Sequence, residues 1–213
     1  MILDLHNPAP RFLKEKDLAA SEVWRKQQVW KQGQKIRICA PSGRGKTTLI
    51  HVLYGLQINY EGDVYLNQMN LRLLKDRERA LVRQQCITIV FQDLRLFPQL
   101  TGWENIEINA VLTGNMDMER VEQQAGCLGV GHALEKKCGQ LSQGEQQRIA
   151  ILRALAQPFE WILLDEPFSH LDTAAAETAA ALLLDDCREK GAGFVCTSLG
   201  DERFLPFDKE CSL

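Results

Sequence analysis

The chain lacks the features that mark membrane-spanning and secreted proteins. No apolar run approaches the length of a membrane-spanning helix, and the longest candidate, 174–184, is interrupted by Glu177 and Thr178. The first residues, Met1 to Asp4, have neither the basic start nor the apolar core of a signal peptide. We therefore expect neither a membrane span nor secretion.

Paired cysteines and an excess of positive charge are also missing. The seven cysteines are odd in number and widely spaced, so neither a disulfide framework nor a zinc site is expected, and a reduced, cytosolic compartment fits best. The formal net charge of −3 gives no electrostatic reason to expect nucleic acid as a partner. What remains is an ordinary globular composition, 45% apolar and 25% charged, over 213 residues.

The most informative stretch is 40–48, with the sequence Ala-Pro-Ser-Gly-Arg-Gly-Lys-Thr-Thr. It lies between an apolar, β-branched run and a run with helical propensity, which is the setting in which a glycine-rich loop binds phosphate. Backbone N–H groups would surround the phosphates, Lys46 would reach the β- and γ-phosphates, and the Thr47 hydroxyl would bind Mg²⁺. Ala40 replaces the usual first glycine and can serve if its φ angle stays negative. A plain glycine-rich turn is the alternative.

The rest of the chain alternates between strand and helix patterns. Predicted strands are 2–5, 36–39, 64–66, 86–90, 161–164, 193–196 and 209–213, and predicted helices are 49–53, 72–85, 101–112, 116–128, 149–156 and 173–190. Residues 7–10 are predicted to form a turn, and 14–34 show no clear period. The alternation predicts the α/β class with a mostly parallel sheet, interrupted by a helical insertion of about 92–157 within a single domain, 1–213.

Two acids follow an apolar strand in Leu-Leu-Asp-Glu-Pro, 163–167. The end of such a strand delivers its side chains to the sheet edge where open α/β folds bind ligands. In a nucleotide site Asp165 suits a Mg²⁺ shell, and Glu166 can orient or deprotonate an attacking water. Alone, the alternative of a strand-end turn with two solvated acids is the more common case.

A third signal is the stretch 141–148. Ser142 and Glu145 have the spacing of a capping box at the start of a helix. A helix start entered through glycine can also bind an anion. The chain therefore offers two helix N-termini suited to phosphate, one with a lysine and one without.

Together these motifs resemble the ATP-binding subunit of an ABC transporter, in order and spacing, from about Gly33 to Ser198. Phe91-Gln92 resembles that family's glutamine loop, 141–145 resembles its signature Leu-Ser-Gly-Gly-Gln, and 169–172 resembles its aspartate loop. The stretch 91–98, together with Glu104-Asn105, further resembles the branch serving lipoprotein release, macrolide efflux and the FtsE-like cell-division proteins.

The resemblance implies a P-loop NTPase fold with an N-terminal antiparallel β portion, and a head-to-tail dimer that holds two ATP molecules with Mg²⁺. The partner half would be the same chain or a related ATP-binding subunit, and an integral-membrane permease would place the dimer on the cytoplasmic face of the cell membrane. The implied nucleotide contacts include Asp172; the others are Ser142 and Gly144 of one chain and, in the other chain, Phe12, Pro41, Ser42, Gly43, Arg44, Gly45, Lys46, Thr47 and Thr48. The implied metal ligands are Thr47, Gln92 and Asp165, and the implied catalytic residues are Lys46, Gln92 and Glu166.

The implied groove for the permease's coupling helix is 93–105. Leu96, Phe97 and Trp103 are its candidate contacts, with a place in the helical core as an equal alternative. The adenine-stacking aromatic is expected to be Phe12, with Trp24 and Trp30 as alternatives.

The sequence departs from the family pattern at a histidine expected after the last core strand. Leu199 or Gly200 occupies that position, so we expect ATP binding and dimerisation with slow hydrolysis, since Glu166 is present. An ATP-binding switch or scaffold with little turnover is the alternative function. Gln143 replaces the first glycine of the signature, while Ser142 and Gly144 remain. For His170, an ordinary interface role is favoured over replacing the missing histidine.

Overall fold

The computed structural model describes residues 1–114, 117–198 and 204–213. Its strands are β1 (Ile2–Pro10), β2 (Gln27–Lys31), β3 (Lys35–Cys39), β4 (Tyr60–Leu66), β5 (Met69–Asn70), β6 (Ile87–Val90), β7 (Trp161–Asp165), β8 (Gly193–Ser198) and β9 (Lys209–Ser212). Its helices are α1 (Glu15–Ala20), α2 (Lys46–Leu53), α3 (Asp76–Gln85), α4 (Gly102–Thr113), α5 (Met118–Cys127), α6 (Gln143–Leu155) and α7 (Thr173–Lys190). None of these helices has the length and apolar character that crossing a membrane requires.

The central sheet has five parallel strands in the order β6-β7-β8-β3-β9. Every residue of β6, β7 and β8 is buried, as expected for strands that are covered by helices on both faces. β9 lies at the edge, as the sequence predicted. Because the strands are parallel, the last residues of β3, β7 and β8 meet at one edge of the sheet, and the candidate site is built there.

A second sheet is antiparallel, in the order β2-β1-β4-β5. The turn predicted at 7–10 is wrong, because these residues continue β1. The strand accommodates Pro8 and Pro10 because its register with β4 shifts between His6 and Ala9. Asn7 takes a left-handed φ of 52° at this bulge. Gly62 on β4 faces this bulge, and a Cβ there would lie only 2.3 Å from the Asn7 carbonyl oxygen, so the bulge requires glycine opposite it.

Between β6 and β7 the described residues form helices without strands, as the sequence predicted. The buried side chain of Asn105 on α4 holds the segment that leads into this region, since its amide donates to the carbonyl oxygens of Phe97 at 3.0 Å and Thr101 at 2.8 Å. Apolar residues of α4, α5 and α6 share one core cluster with residues of β7 and α7. The boundary at about 92–157 and the single-domain assignment stay predictions.

Candidate functional site

The glycine-rich loop joins β3 to α2 at the carboxyl edge of the parallel sheet. Gly43 and Gly45 have left-handed φ angles of 80° and 91°, which only glycine adopts readily. Gly45 is the N-cap of α2 and has no side chain to cap the helix. Ala40 is absent from the described residues with positive φ, so the loop accommodates alanine as the sequence analysis required. We call this loop, 40–48, the cradle.

Lys46 lies across the cradle with a side chain that is only 6% exposed. Its ammonium donates to the Ala40 carbonyl oxygen at 2.7 Å and lies 3.8 Å from a carboxylate oxygen of Glu166. The positive charge is therefore held at the centre of the site rather than in bulk solvent.

A chain of hydrogen bonds joins three separate elements at this point. The Thr47 hydroxyl, at the start of α2, donates to Gln92 Oε1 at 3.2 Å. The Gln92 amide, after β6, donates to Glu166 Oε2 at 3.3 Å. The structure thus brings together Lys46, Thr47, Gln92 and Glu166, which the sequence separates by up to 120 positions.

Asp165 ends β7 and is 1% exposed. It accepts a hydrogen bond of 2.6 Å from the hydroxyl of Thr197, its register partner on β8. The sequence analysis missed Thr197, although a threonine at the end of the neighbouring strand was the available signal. The oxygen donors of Asp165, Thr47 and Gln92 are the kind that Mg²⁺ prefers, so the residues present fit this ion.

Glu166 has a left-handed φ of 50°, an uncommon conformation for a non-glycine residue. Such a conformation costs on the order of 1–3 kcal/mol and persists where the surroundings enforce it. Here the Glu166 N–H donates to the Thr197 carbonyl oxygen at 3.2 Å, and the Glu166 carbonyl accepts from Ser169 N–H at 3.3 Å. In this conformation the carboxylate contacts the Gln92 amide at 3.3 Å and lies 3.8 Å from the Lys46 ammonium.

Phe12 stands at the mouth of the cradle and is 62% exposed. Together with cradle residues and Glu166 it lines a cavity of about 210 Å³. Trp24 and Trp30 are fully buried, so neither offers a ring face to a ligand. Of the three aromatic candidates, Phe12 is therefore the one that lines the cradle cavity, and base stacking by Phe12 stays a prediction.

The second helix start, at α6, has the capping box that the sequence predicted. The Ser142 hydroxyl donates to Glu145 Oε2 at 2.7 Å and accepts from the Glu145 N–H at 3.3 Å. A ring nitrogen of His132 lies 2.7 Å from the other carboxylate oxygen. The hydrogen bonds from Ser142, with a smaller contribution from His132, lower the pKa of Glu145 to about 2. The described residues that line the cradle cavity include neither Ser142 nor Gly144.

The aspartate loop packs against α6. Asp172 caps α7 by accepting from the Ala175 N–H at 2.8 Å. The fully buried Gln147 donates its amide to the Pro167 carbonyl at 2.6 Å, so its oxygen must face His170 Nδ1, at 2.9 Å. A carbonyl oxygen only accepts, which places a proton on Nδ1 of His170.

A larger open cavity of about 650 Å³ connects this loop to the acid pair. It is lined by Thr47, His51, Gln92, Asp93, Leu94, Arg95, Gln143, Gln146, Asp165, Glu166, Ser169 and His170. Leu199 and Gly200, which occupy the position of the expected histidine, lie outside the described residues.

The loop after Gln92 is held by Arg153, a second residue that the sequence analysis missed. Leu94 and Arg95 are both left-handed, with φ angles of 57° and 48°, and the Arg153 guanidinium donates to the carbonyl oxygen of each at 2.6 Å. Burial lowers the pKa of Arg153, which is 7% exposed. The signal in the sequence was an arginine within the otherwise apolar run 149–156.

Comparisons with known proteins place the chain in a family. The model of the ABC transporter family matches residues 28–169. The lipoprotein-releasing system ATP-binding protein LolD of Saccharophagus degradans is 37% identical over 168 residues, which cover 77% of this chain and 73% of that protein. LolD 1 of Rhodopirellula baltica is 39% identical over 155 residues, 71% of this chain and 68% of that protein.

Solved structures agree with this assignment. A dimeric, post-hydrolysis structure of the ATP-binding cassette MJ0796, bound to ADP and Pi, superimposes with a TM-score of 0.80 at 30% identity, covering 96% of this chain and 90% of that chain. The resemblance to the lipoprotein-release branch, which rested on 91–98 with Glu104-Asn105, is confirmed by the LolD relatives. The chain belongs to the ABC transporter family and has the P-loop NTPase fold of its ATP-binding cassettes.

Proposed function

We propose that this chain holds Mg-ATP between two head-to-tail copies and couples nucleotide binding and hydrolysis to a membrane permease. The observation that carries the proposal is the line of contacts from Thr47 through Gln92 to Glu166, with Lys46 beside it. The cradle, a set of oxygen donors of the kind that Mg²⁺ prefers, and the Glu166 carboxylate lie together at one edge of the sheet. The relatives named as LolD and the dimeric MJ0796 cassette with ADP and Pi support the same interpretation.

The need for a second copy follows from the placement of α6. Its start is built like an anion site, yet Ser142 and Gly144 do not line the cradle of their own chain in the described residues. A second ATP-binding subunit, identical or related, would bring its own α6 start over the cradle and close the site.

Different residues are proposed to bind the phosphates, to hold Mg²⁺ and to activate the attacking water. The cradle N–H groups and Lys46 would bind the β- and γ-phosphates, and the γ-phosphate would also meet Ser142 of the second copy. Thr47, Gln92 and Asp165 would hold Mg²⁺, which when bound neutralises phosphate charge. Glu166 would orient the attacking water and accept its proton.

Turnover is proposed to be slow, because neither Leu199 nor Gly200 has a side chain that can hydrogen-bond to the γ-phosphate. By analogy with oxyanion donors, the absence of a histidine side chain at this position should slow hydrolysis by a factor on the order of 10²–10³. The test compares phosphate release by the wild type, Glu166→Gln and Leu199→His. We expect slow release by the wild type, none above background for Glu166→Gln, and faster release for Leu199→His. Brisk wild-type release that Leu199→His leaves unchanged would refute slow turnover.

A switch or scaffold that binds ATP and dimerises without turnover is the second candidate, favoured by the absence of a histidine at 199–200. It predicts equal phosphate release by the wild type and Glu166→Gln.

The two candidate functions also differ in the partner that they require. Co-expression with the neighbouring open reading frames, followed by pulldown, should recover an integral-membrane protein if the chain drives a permease from the cytoplasmic face.

The permease contact is proposed at 93–105. Phe97 is 53% exposed, whereas Leu96 and Trp103 pack against the core that the α4–α6 helices share. Phe97 is therefore the preferred contact, and Phe97→Ala should reduce permease recovery in the pulldown while leaving ATP binding unchanged.

A further inference from the structure

The segment 12–24 wraps around the outside of the cradle through three contacts. Leu13 lies against Gly45, its Cδ1 only 3.3 Å from where a Cβ on that glycine would be. The Trp24 indole donates to the Arg44 carbonyl oxygen at 3.5 Å. Asp17, in the middle of this segment, forms an ion pair with the Arg44 guanidinium. The phosphate-binding loop and the chain that carries Phe12 are therefore one packed unit.

The Asp17–Arg44 pair is better shielded than an ordinary surface ion pair. The Asp17 side chain is 15% exposed and that of Arg44 is 37% exposed. The neighbouring pair on the same helix, Glu15–Arg25, has exposures of 79% and 44%. Exposed pairs contribute little to stability, so of the two acids on α1 only Asp17 is expected to fix the position of the helix.

The helix α1 needs such a contact. It has six residues, its N-cap Lys14 makes no side-chain capping bond, and Leu18 is its buried residue. Helices of this length do not persist without tertiary contacts. Asp17 and Leu18 together hold α1 against the protein, and Phe12 lies just before it with an exposed ring at the mouth of the cradle.

We propose that Asp17 is a positioning residue that sets the preference of the cradle for adenosine triphosphate over bare polyphosphate. By holding Arg44 it keeps α1, and with it Phe12, where the ring can stack on the base. The same ion pair keeps the Arg44 charge turned away from the phosphates. The inference rests on the proposed ATP binding and adds the determinant of base recognition.

The two effects of Asp17 predict different changes in the affinities for ATP and tripolyphosphate. In Asp17→Asn the released Phe12 would no longer stack on the base, which would lower the affinity for ATP. The released Arg44 would gain access to phosphate, which leaves tripolyphosphate affinity equal or higher. The ratio of the two affinities is therefore the informative quantity, since a general loss of folding would lower the affinity for both ligands alike.

The experiment measures the affinities for MgATP and Mg-tripolyphosphate by calorimetry on the full-length protein and four variants. The variants are Phe12→Ala, Asp17→Asn, the double variant of these two, and Glu15→Gln as the matched control on the same helix. Base–aromatic stacking suggests that Phe12→Ala lowers the ratio about 5- to 100-fold. Asp17→Asn should lower it by a similar factor, the double variant should add little more, and Glu15→Gln should leave it unchanged.

Each other outcome has a definite meaning. A normal ratio in Asp17→Asn beside a lowered one in Phe12→Ala would overturn the role of Asp17. A normal ratio in Phe12→Ala would overturn base stacking and with it this inference, while the phosphate cradle would stand. A wild type that binds neither ligand would overturn the proposed function as well.

Discussion

Two helices of this chain begin where a phosphate could bind, and they begin in different ways. α2 follows Gly45, a left-handed glycine without a side chain, and no acidic residue occupies its first turn. α6 follows Ser142, and its first turn contains Glu145. The N-terminus of α2 therefore offers free backbone N–H groups and the ammonium of Lys46 to an anion. At the N-terminus of α6, the side chains of Ser142 and Glu145 already occupy the capping position.

The difference concerns charge as much as geometry. The positive end of a helix dipole attracts anions, and at α6 the Glu145 carboxylate already occupies that position. With a pKa of about 2, Glu145 is ionised at neutral pH. To contact a γ-phosphate, the Ser142 hydroxyl must turn away from Glu145, to which it donates at 2.7 Å. We infer that α2 provides most of the nucleotide affinity and that α6 provides a weaker contact that closes the dimer.

Removing the charge at α2 should have the largest effect. Lys46→Ala is expected to weaken MgATP binding about 100-fold or more, because a buried charge-assisted contact to phosphate is lost. Calorimetry on the monomeric protein measures it. The exposed Lys31 on β2 offers a control, and Lys31→Ala should bind MgATP like the wild type. Unchanged affinity in Lys46→Ala would remove the distinction between the two helix starts.

Removing the hydroxyl at α6 should affect dimerisation and leave monomer affinity unchanged. Ser142→Ala is expected to weaken the ATP-dependent dimer of a Glu166→Gln background about 10-fold, measured by analytical ultracentrifugation. Loss of the cap should also cost about 1 kcal/mol in the free energy of unfolding. Asp117 caps α5 in the same manner, accepting from the Arg120 N–H at 3.0 Å, so Asp117→Ala should show the stability loss without the dimer defect. Weaker dimerisation in both variants would attribute the effect to stability alone.

How far the sequence predicts this molecule depends on how local each interaction is. The buried runs of β6 to β8 and the helix α7, predicted at 173–190, are set by neighbouring residues and were found where expected. The capping box is equally local, because Ser142 and Glu145 are only three positions apart. The turn predicted at 7–10 failed because long-range contacts overrode the propensity of two prolines: residues 9 and 10 pair with β4, and the backbone of residues 7 and 8 hydrogen-bonds to residues 25 and 26.

The site residues that were missed act through partners far along the chain. Thr197 pairs with Asp165 across two strands, Arg153 holds carbonyl groups at 94 and 95, and Asp17 reaches Arg44. Each of these side chains is polar and mostly buried, and a single sequence does not tell such a residue from one on the surface. The motifs predict candidate phosphate-binding residues, but the residues that hold those motifs in place could be identified only from the fold.

Neutralising the first turn of α6 should strengthen the weaker contact. Glu145→Gln keeps the length of the side chain and an oxygen that can accept from Ser142, but it removes a negative charge beside the incoming γ-phosphate. We expect ATP-dependent dimerisation to tighten a few-fold, with monomer affinity for ATP unchanged. The effect should shrink as salt is raised, because the repulsion is screened. A looser dimer in Glu145→Gln would mean that the carboxylate orients Ser142 for the nucleotide instead of competing with it.

The smallest expected effect is the contribution of Glu145 to stability as a function of pH. Its folded-state pKa lies at about 2, below the ordinary 4.5, because Ser142 donates hydrogen bonds to the ionised form. The stabilisation is therefore complete above about pH 4.5 and is lost as pH falls towards 2. Urea unfolding at several values between pH 6 and pH 2 should show the wild type losing stability faster than Glu145→Gln, which cannot ionise. Parallel curves would mean that the capping box does not favour the charged carboxylate, and the electrostatic difference between the two helix starts would then reduce to Lys46.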